Sequence, residues 1–118
     1  MADLWDRQRP PRLVGNERCI DPEEAFVASL SSCHMLTFLA ICCRSGVVVD
    51  GYRDDAVGIL GKDQAGRLAM TKVTLRPRVR FGGEKTPTTA ELAKLHDQAH
   101  HACFIANSVK TEVVVEPS

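Results

Sequence analysis

Aromatic residues make up only 5% of the 118-residue chain, and there is no surplus charge, with 15 Lys+Arg against 15 Asp+Glu. A nucleic-acid surface needs a basic field with aromatics interleaved, so both shortages argue against nucleic acid as a partner. A chain without net charge gains little solubility from repulsion, which mildly favours self-association. The first residues, Met1 to Pro11, contain no apolar run, so they do not read as a signal peptide. The apolar stretch over 25–43 is interrupted by serines, a histidine and a threonine, which speaks against a membrane span. There is no G-x-G-x-x-G, P-loop, H-E-x-x-H or G-x-S-x-G pattern, and nothing supports nucleotide-dependent chemistry. No C-x-x-C pair occurs either. The five cysteines, Cys19, Cys33, Cys42, Cys43 and Cys103, are an odd number without a secretion signal, which points to reduced thiols in a cytoplasmic protein.

The remaining composition, 44% hydrophobic and 25% charged, is that of one globular domain over 1–118. Residues 1–20 read as an irregular leader. Asp21-Pro22-Glu23-Glu24 is a helix start: Asp21 caps, Pro22 suits the first turn, and Glu24 completes a capping-box-like pattern. Gly46 is the matching stop. The helix between them is apolar around most of its circumference, so it is expected to be central and covered on several sides.

Val47-Val48-Val49 opens a β region. Strands are expected over Ala56–Leu60 and Leu68–Met70, with turn composition at 61–66 between them. Lys72 to Phe81 is the clearest strand, alternating Val73, Leu75, Pro77, Val79 and Phe81 with basic or polar residues. Pro77 makes it an edge or a bulged strand. Its row of Arg76, Arg78 and Arg80 reads as a solvated face. Thr88 and Glu91 form a second capping box, opening an amphipathic helix to about His101. A short helix after a kink fits Cys103–Ser108, and Glu112–Glu116 is a last strand.

Cys33 lies inside the apolar helix beside Ser31, Ser32 and His34; Cys103 follows His100-His101-Ala102. Each is an ordinary packing residue on its own. Polar neighbours around a thiol are also what a reacting thiolate needs. Brought together, the two would form a dithiol able to cycle to a disulfide. Cys33, Cys103 and the histidines would alternatively suit a zinc site, although the usual short ligand spacing is missing. Cys42 and Cys43 read as packing residues. His96 and His100 share a helix face.

The segments Asp21-Pro22-Glu23-Glu24 and Ala28-Ser29-Leu30-Ser31-Ser32-Cys33-His34-Met35-Leu36-Thr37-Phe38-Leu39-Ala40 resemble the first cysteine helix of the OsmC/Ohr family, the osmotically inducible and organic hydroperoxide resistance proteins. Ala99-His100-His101-Ala102-Cys103-Phe104-Ile105-Ala106-Asn107-Ser108 resembles the second cysteine segment. The likeness covers roughly 16–117, and the Ser-Cys-His form is closer to the OsmC-like branch. The resemblance implies an α+β fold, with the long cysteine helix and a second helix packed on an antiparallel sheet, built as an intertwined homodimer. It implies a thiol peroxidase that needs no cofactor. Cys33 would be the peroxidatic cysteine and Cys103 the resolving one, and Glu23 would hold an arginine near the reactive thiol. The partners would be an organic hydroperoxide and a dithiol reductant such as a lipoylated protein. By the resemblance, the N-terminal strands that supply the family's arginine are expected to be missing from this sequence, either because its start lies downstream or because it is a short form. The nearby candidates are Arg7, Arg9, Arg12 and Arg18. Burial alone raises a thiol pKa, so a cation, either another arginine or His34, is expected to offset it at Cys33. Without one, the implied alternative is a non-catalytic protein binding thiols or small ligands.

Overall fold

The structure is a computed structural model and describes residues 20–118. The leader, with Cys19, the four candidate arginines and any N-terminal strand, lies outside the described residues. Two helices and five strands follow: α1 (Pro22–Arg44), β1 (Val48–Asp54), β2 (Val57–Lys62), β3 (Leu68–Leu75), β4 (Pro77–Gly82), α2 (Thr89–Ala102) and β5 (Glu112–Val115), with a 3-10 turn at Ala106–Ser108. The class is α+β, as expected.

Both helix starts are built as their sequences require. Asp21 accepts a hydrogen bond from the Glu24 N–H at 2.7 Å, with Pro22 next in the first turn, where its missing N–H leaves no bond unmade. Thr88 and Glu91 form a reciprocal capping box at 3.2 Å in each direction. Gly46, at φ 72°, takes the left-handed turn that ends α1.

The strands form two small sheets. β1 pairs antiparallel with β4, while β3 lies between β2, antiparallel, and β5, parallel. The sheet is therefore mixed where an antiparallel one was expected. The expected strand Lys72–Phe81 is divided between the two sheets at Arg76. Pro77 supplies the reason: it has no N–H for the ladder and disfavours the helical region for the residue before it. Asp54 accepts the Arg76 N–H at 2.7 Å, closing the break with a side chain. Asp54 faces Pro77 on one side and Val57 faces Thr74 on the other, so a single hairpin register runs through the interruption.

Leu30, His34, Phe38 and Cys42 recur at four-residue steps and form the buried stripe of α1. One end of the stripe packs with Val73 and Leu75, and the other with Leu95, Ala99, Tyr52, Val79 and Phe81. Its opposite face, carrying Ala25, Ser29, Ser32, Leu36, Ala40 and Cys43, is exposed, with Leu36 at 61%. The expectation of cover on several sides is thus not met within one chain, and Cys43 is a surface residue. By length and composition α1 is long and apolar enough to cross a membrane. Here its buried stripe serves as the floor of a two-part core. The arginine row faces outward as read. Arg76 meets Glu116 at 3.4 Å, Arg78 meets Asp55 at 2.6 Å, and Arg80 reaches the Asp50 carbonyl at 3.4 Å.

Candidate active site

Cys33 sits on α1 one residue before His34 of the buried stripe, at intermediate exposure. Cys103 is the residue that ends α2, 1% exposed, its N–H returning to the His100 carbonyl at 3.4 Å. Beyond Cys103 the chain coils back on itself. The Asn107 N–H meets the Cys103 carbonyl at 3.1 Å, the Ser108 N–H meets the Ile105 carbonyl at 3.0 Å, and the Ser108 hydroxyl donates to the Phe104 carbonyl at 2.7 Å. The Asn107 side-chain amide donates to the His101 carbonyl at 3.0 Å, fastening the turn to α2. In this winding the N–H groups of Phe104, Ile105 and Ala106 lie close to the two sulfurs.

The structure brings Cys33 and Cys103, both free thiols, close enough for each to influence the other's ionisation. Their ionisation is pushed in opposite directions. Burial is the largest influence on Cys33 and opposes its charge. Against it, the Ile105 backbone N–H, then Cys103, the Phe104 N–H and Thr37 close to its sulfur lower its pKa. At Cys103, burial comes first and raises the pKa; donating to Cys33 and facing its charge raise it further, against weaker help from the Ala106 and Ile105 N–H groups. Thr37 also lies 2.8 Å from the Cys33 carbonyl, so one hydroxyl proton has two acceptors on the same residue.

His34 does not supply the expected cation. Burial, then the nearby His100, depress its pKa to about 4, so the ring is neutral at pH 7. It turns inward from Cys33's neighbourhood to His96 on α2, Nε2 to Nδ1 at 3.0 Å. Among the described residues, neutral donors lower the Cys33 pKa without a side-chain cation. Glu23 stands exposed in the first turn of α1, ten residues before Cys33, or about 15 Å along the axis. It lines a cleft of about 490 Å³ with Asp21, Glu24, Ser31, Asp54 and Met70, among others. Thus Cys33 and Cys103 meet, and Glu23 stands apart from them within the chain. Among the described residues no three His, Cys, Asp or Glu side chains are grouped as a metal ion would need.

Sequence reasoning missed Thr37 and the backbone N–H groups of 104–106, and it did not pair His96 with His34. For His96 a signal existed, because a histidine on an apolar stripe requires a buried partner. Backbone donors leave no such signal.

A two-layer α+β domain with an ionisable thiol on its long helix and a second thiol at the end of the next is a dithiol protein by construction. The chain belongs to the OsmC family: residues 15–118 match the OsmC-like protein profile. An OsmC-like protein of unknown function from Vibrio cholerae is 55% identical over 92% of this chain and 70% of its own, with a TM-score of 0.89. The organic hydroperoxide resistance protein OhrB of Bacillus subtilis shares the fold at 19% identity, TM-score 0.70, over 85% of this chain and 71% of its own. An organic hydroperoxide resistance protein from Elizabethkingia anophelis does so at 20% identity, TM-score 0.72, over 92% and 75%. No curated protein sequence matches the chain.

Proposed function

We propose that the protein is a thiol peroxidase that reduces organic hydroperoxides to alcohols. What carries this reading is the meeting of two free thiols, Cys33 on α1 and Cys103 at the end of α2, in surroundings that lower the pKa of the first and raise that of the second. The Cys33 thiolate attacks the terminal peroxide oxygen. An S–O bond forms, the O–O bond breaks, and the alkoxide leaves as the alcohol after taking up a proton. The Cys103 thiol then condenses with the Cys33 sulfenic acid, releasing water and leaving a Cys33–Cys103 disulfide. A dithiol reductant, such as a lipoylated protein, restores both thiols. Exposed apolar groups beside the pair support an organic substrate: Phe104, 80% exposed, follows Cys103, and Leu36 lies one helical turn after Cys33. The peroxide-resistance names of several fold relatives point the same way.

Glu23 belongs to this reading as the carboxylate that orders an arginine at the mouth of the site. The uncovered face of α1 supports a homodimer, in which a second copy covers Leu36 and Ala40. We place the protein in the cytoplasm, where thiols stay reduced.

With cumene hydroperoxide and a dithiol reductant, Cys33→Ser is expected to abolish turnover. Cys103→Ser is expected to consume about one equivalent of peroxide and stop. Turnover at the parent rate in Cys33→Ser overturns the reading.

A further inference from the structure

The mechanism leaves one buried polar feature unused. His34 and His96 are 1% and 2% exposed, and a single hydrogen bond of 3.0 Å joins them across the α1–α2 seam. Their rings are nearly parallel, 7° apart, and His96 stacks on Phe38 at a 4.2 Å centroid distance. The remaining nitrogens, His34 Nδ1 and His96 Nε2, are buried without partners among the described residues. An apolar pair would avoid that cost, because replacing both partners of a buried hydrogen bond by similar apolar groups is often neutral or stabilising. The pair is therefore a poor choice for stability alone.

Its position suggests what it is for. His34 directly follows Cys33, and His96 lies on the helix whose end is Cys103. Apolar packing at the seam with Phe38 and Ala99 resists separation but is non-directional and tolerates sliding. A hydrogen bond between two defined ring nitrogens fixes the translation of α2 along α1. We infer that the His34–His96 bond is a positioning device that holds α2 in the register that brings the Cys103 sulfur to Cys33 for disulfide closure. The inference rests on the proposed redox cycling of this thiol pair.

In the closing step the Cys103 sulfur attacks the Cys33 sulfenic sulfur. The S–S bond forms, the S–O bond breaks, and the hydroxyl leaves as water with the Cys103 proton. Cys103 is oxidised and Cys33 is reduced by the same electron pair. A sulfur displaced by about 1 Å slows such a step by up to about a hundredfold.

The test separates closure from the first oxidation. Cumene hydroperoxide is added to the reduced protein, and mass spectrometry follows the dimedone-trapped sulfenic acid and the disulfide over time. His96→Asn sets an amide atom where Nδ1 was, and His96→Gln sets it where Nε2 was. The double variant His34→Phe/His96→Phe keeps the ring stack without the bond. The expected result is first oxidation within twofold of the parent in all three. Closure should stay within threefold in His96→Asn and fall at least tenfold in His96→Gln and in the double variant. Equal closure in Asn and Gln, parent-like closure in the double variant, or an equal slowing of both steps overturns the inference. Failure of all three to fold also overturns it, assigning the pair to stability. Diamide oxidation of the same set reports closure without peroxide, so failure of the peroxidase reading is distinguishable from failure of this one.

Discussion

At Cys33 the decisive comparison is between desolvation, which disfavours a buried thiolate, and several short-range donors that favour it. Thr37 is the side-chain hydroxyl in the set and can be tested alone. Thr37→Val keeps the shape and removes the donor. Iodoacetamide alkylation of Cys33 at pH 6.5 is expected to slow about threefold to tenfold. An unchanged rate assigns the activation to Cys103 and the backbone alone. The positions of both cysteines were legible in the sequence, because each lies in a segment with a distinctive pattern of small and polar neighbours. What activates Cys33 was not. The sequence invited a search for a cation, while the stabilising groups among the described residues are amides common to every peptide unit and a threonine with no special context.

At the scale of elements, helix boundaries were the most readable feature, since a cap is a local contract between residues three apart. Asp21 and Thr88 both keep it. Asp21→Ala is expected to lower unfolding free energy by about 1 kcal/mol in urea titration. Leu30 is fully buried, on the part of the α1 stripe that meets Val73 and Leu75. Leu30→Ala is expected to lower it by about 2–5 kcal/mol in the same titration. A loss below 1 kcal/mol would mean that α1 is not seated on β3 in solution. Alternation identified the 72–81 segment as extended, but it carries no information on which sheet a strand joins. That depended on the Asp54 carboxylate, far away in sequence, accepting the Arg76 N–H. The parallel pairing of β5 with β3 was invisible for the same reason: a four-residue strand with three valines fits either direction.

For the whole molecule, His34 and His96 make stability depend on pH in a defined direction. Burial is the main reason both stand at about 4, against an ordinary value of 6.5. Between those values the unfolded chain binds more protons than the folded one, so stability rises with pH across that window. It is progressively lost as pH falls from 6.5 towards 4, with a slope of up to about 1.4 kcal/mol per pH unit for each imidazole. Urea midpoints measured from pH 7.5 to 5 should decline on the acid side, and the decline should be shallower in His34→Phe/His96→Phe. Equal slopes in the two proteins would show that the rings are not buried neutral. The sequence placed both histidines but gave no means of pairing them, because their contact is made only when α2 docks on α1.

The turn after Cys103 has an evolutionary consequence. Groups that stabilise a charge through the main chain cannot be removed by changing a codon for a side chain; only a change of backbone path removes them. Lineages carrying this backbone path are therefore free to vary the side chains around the two sulfurs while the main-chain amides beside Cys33 stay in place.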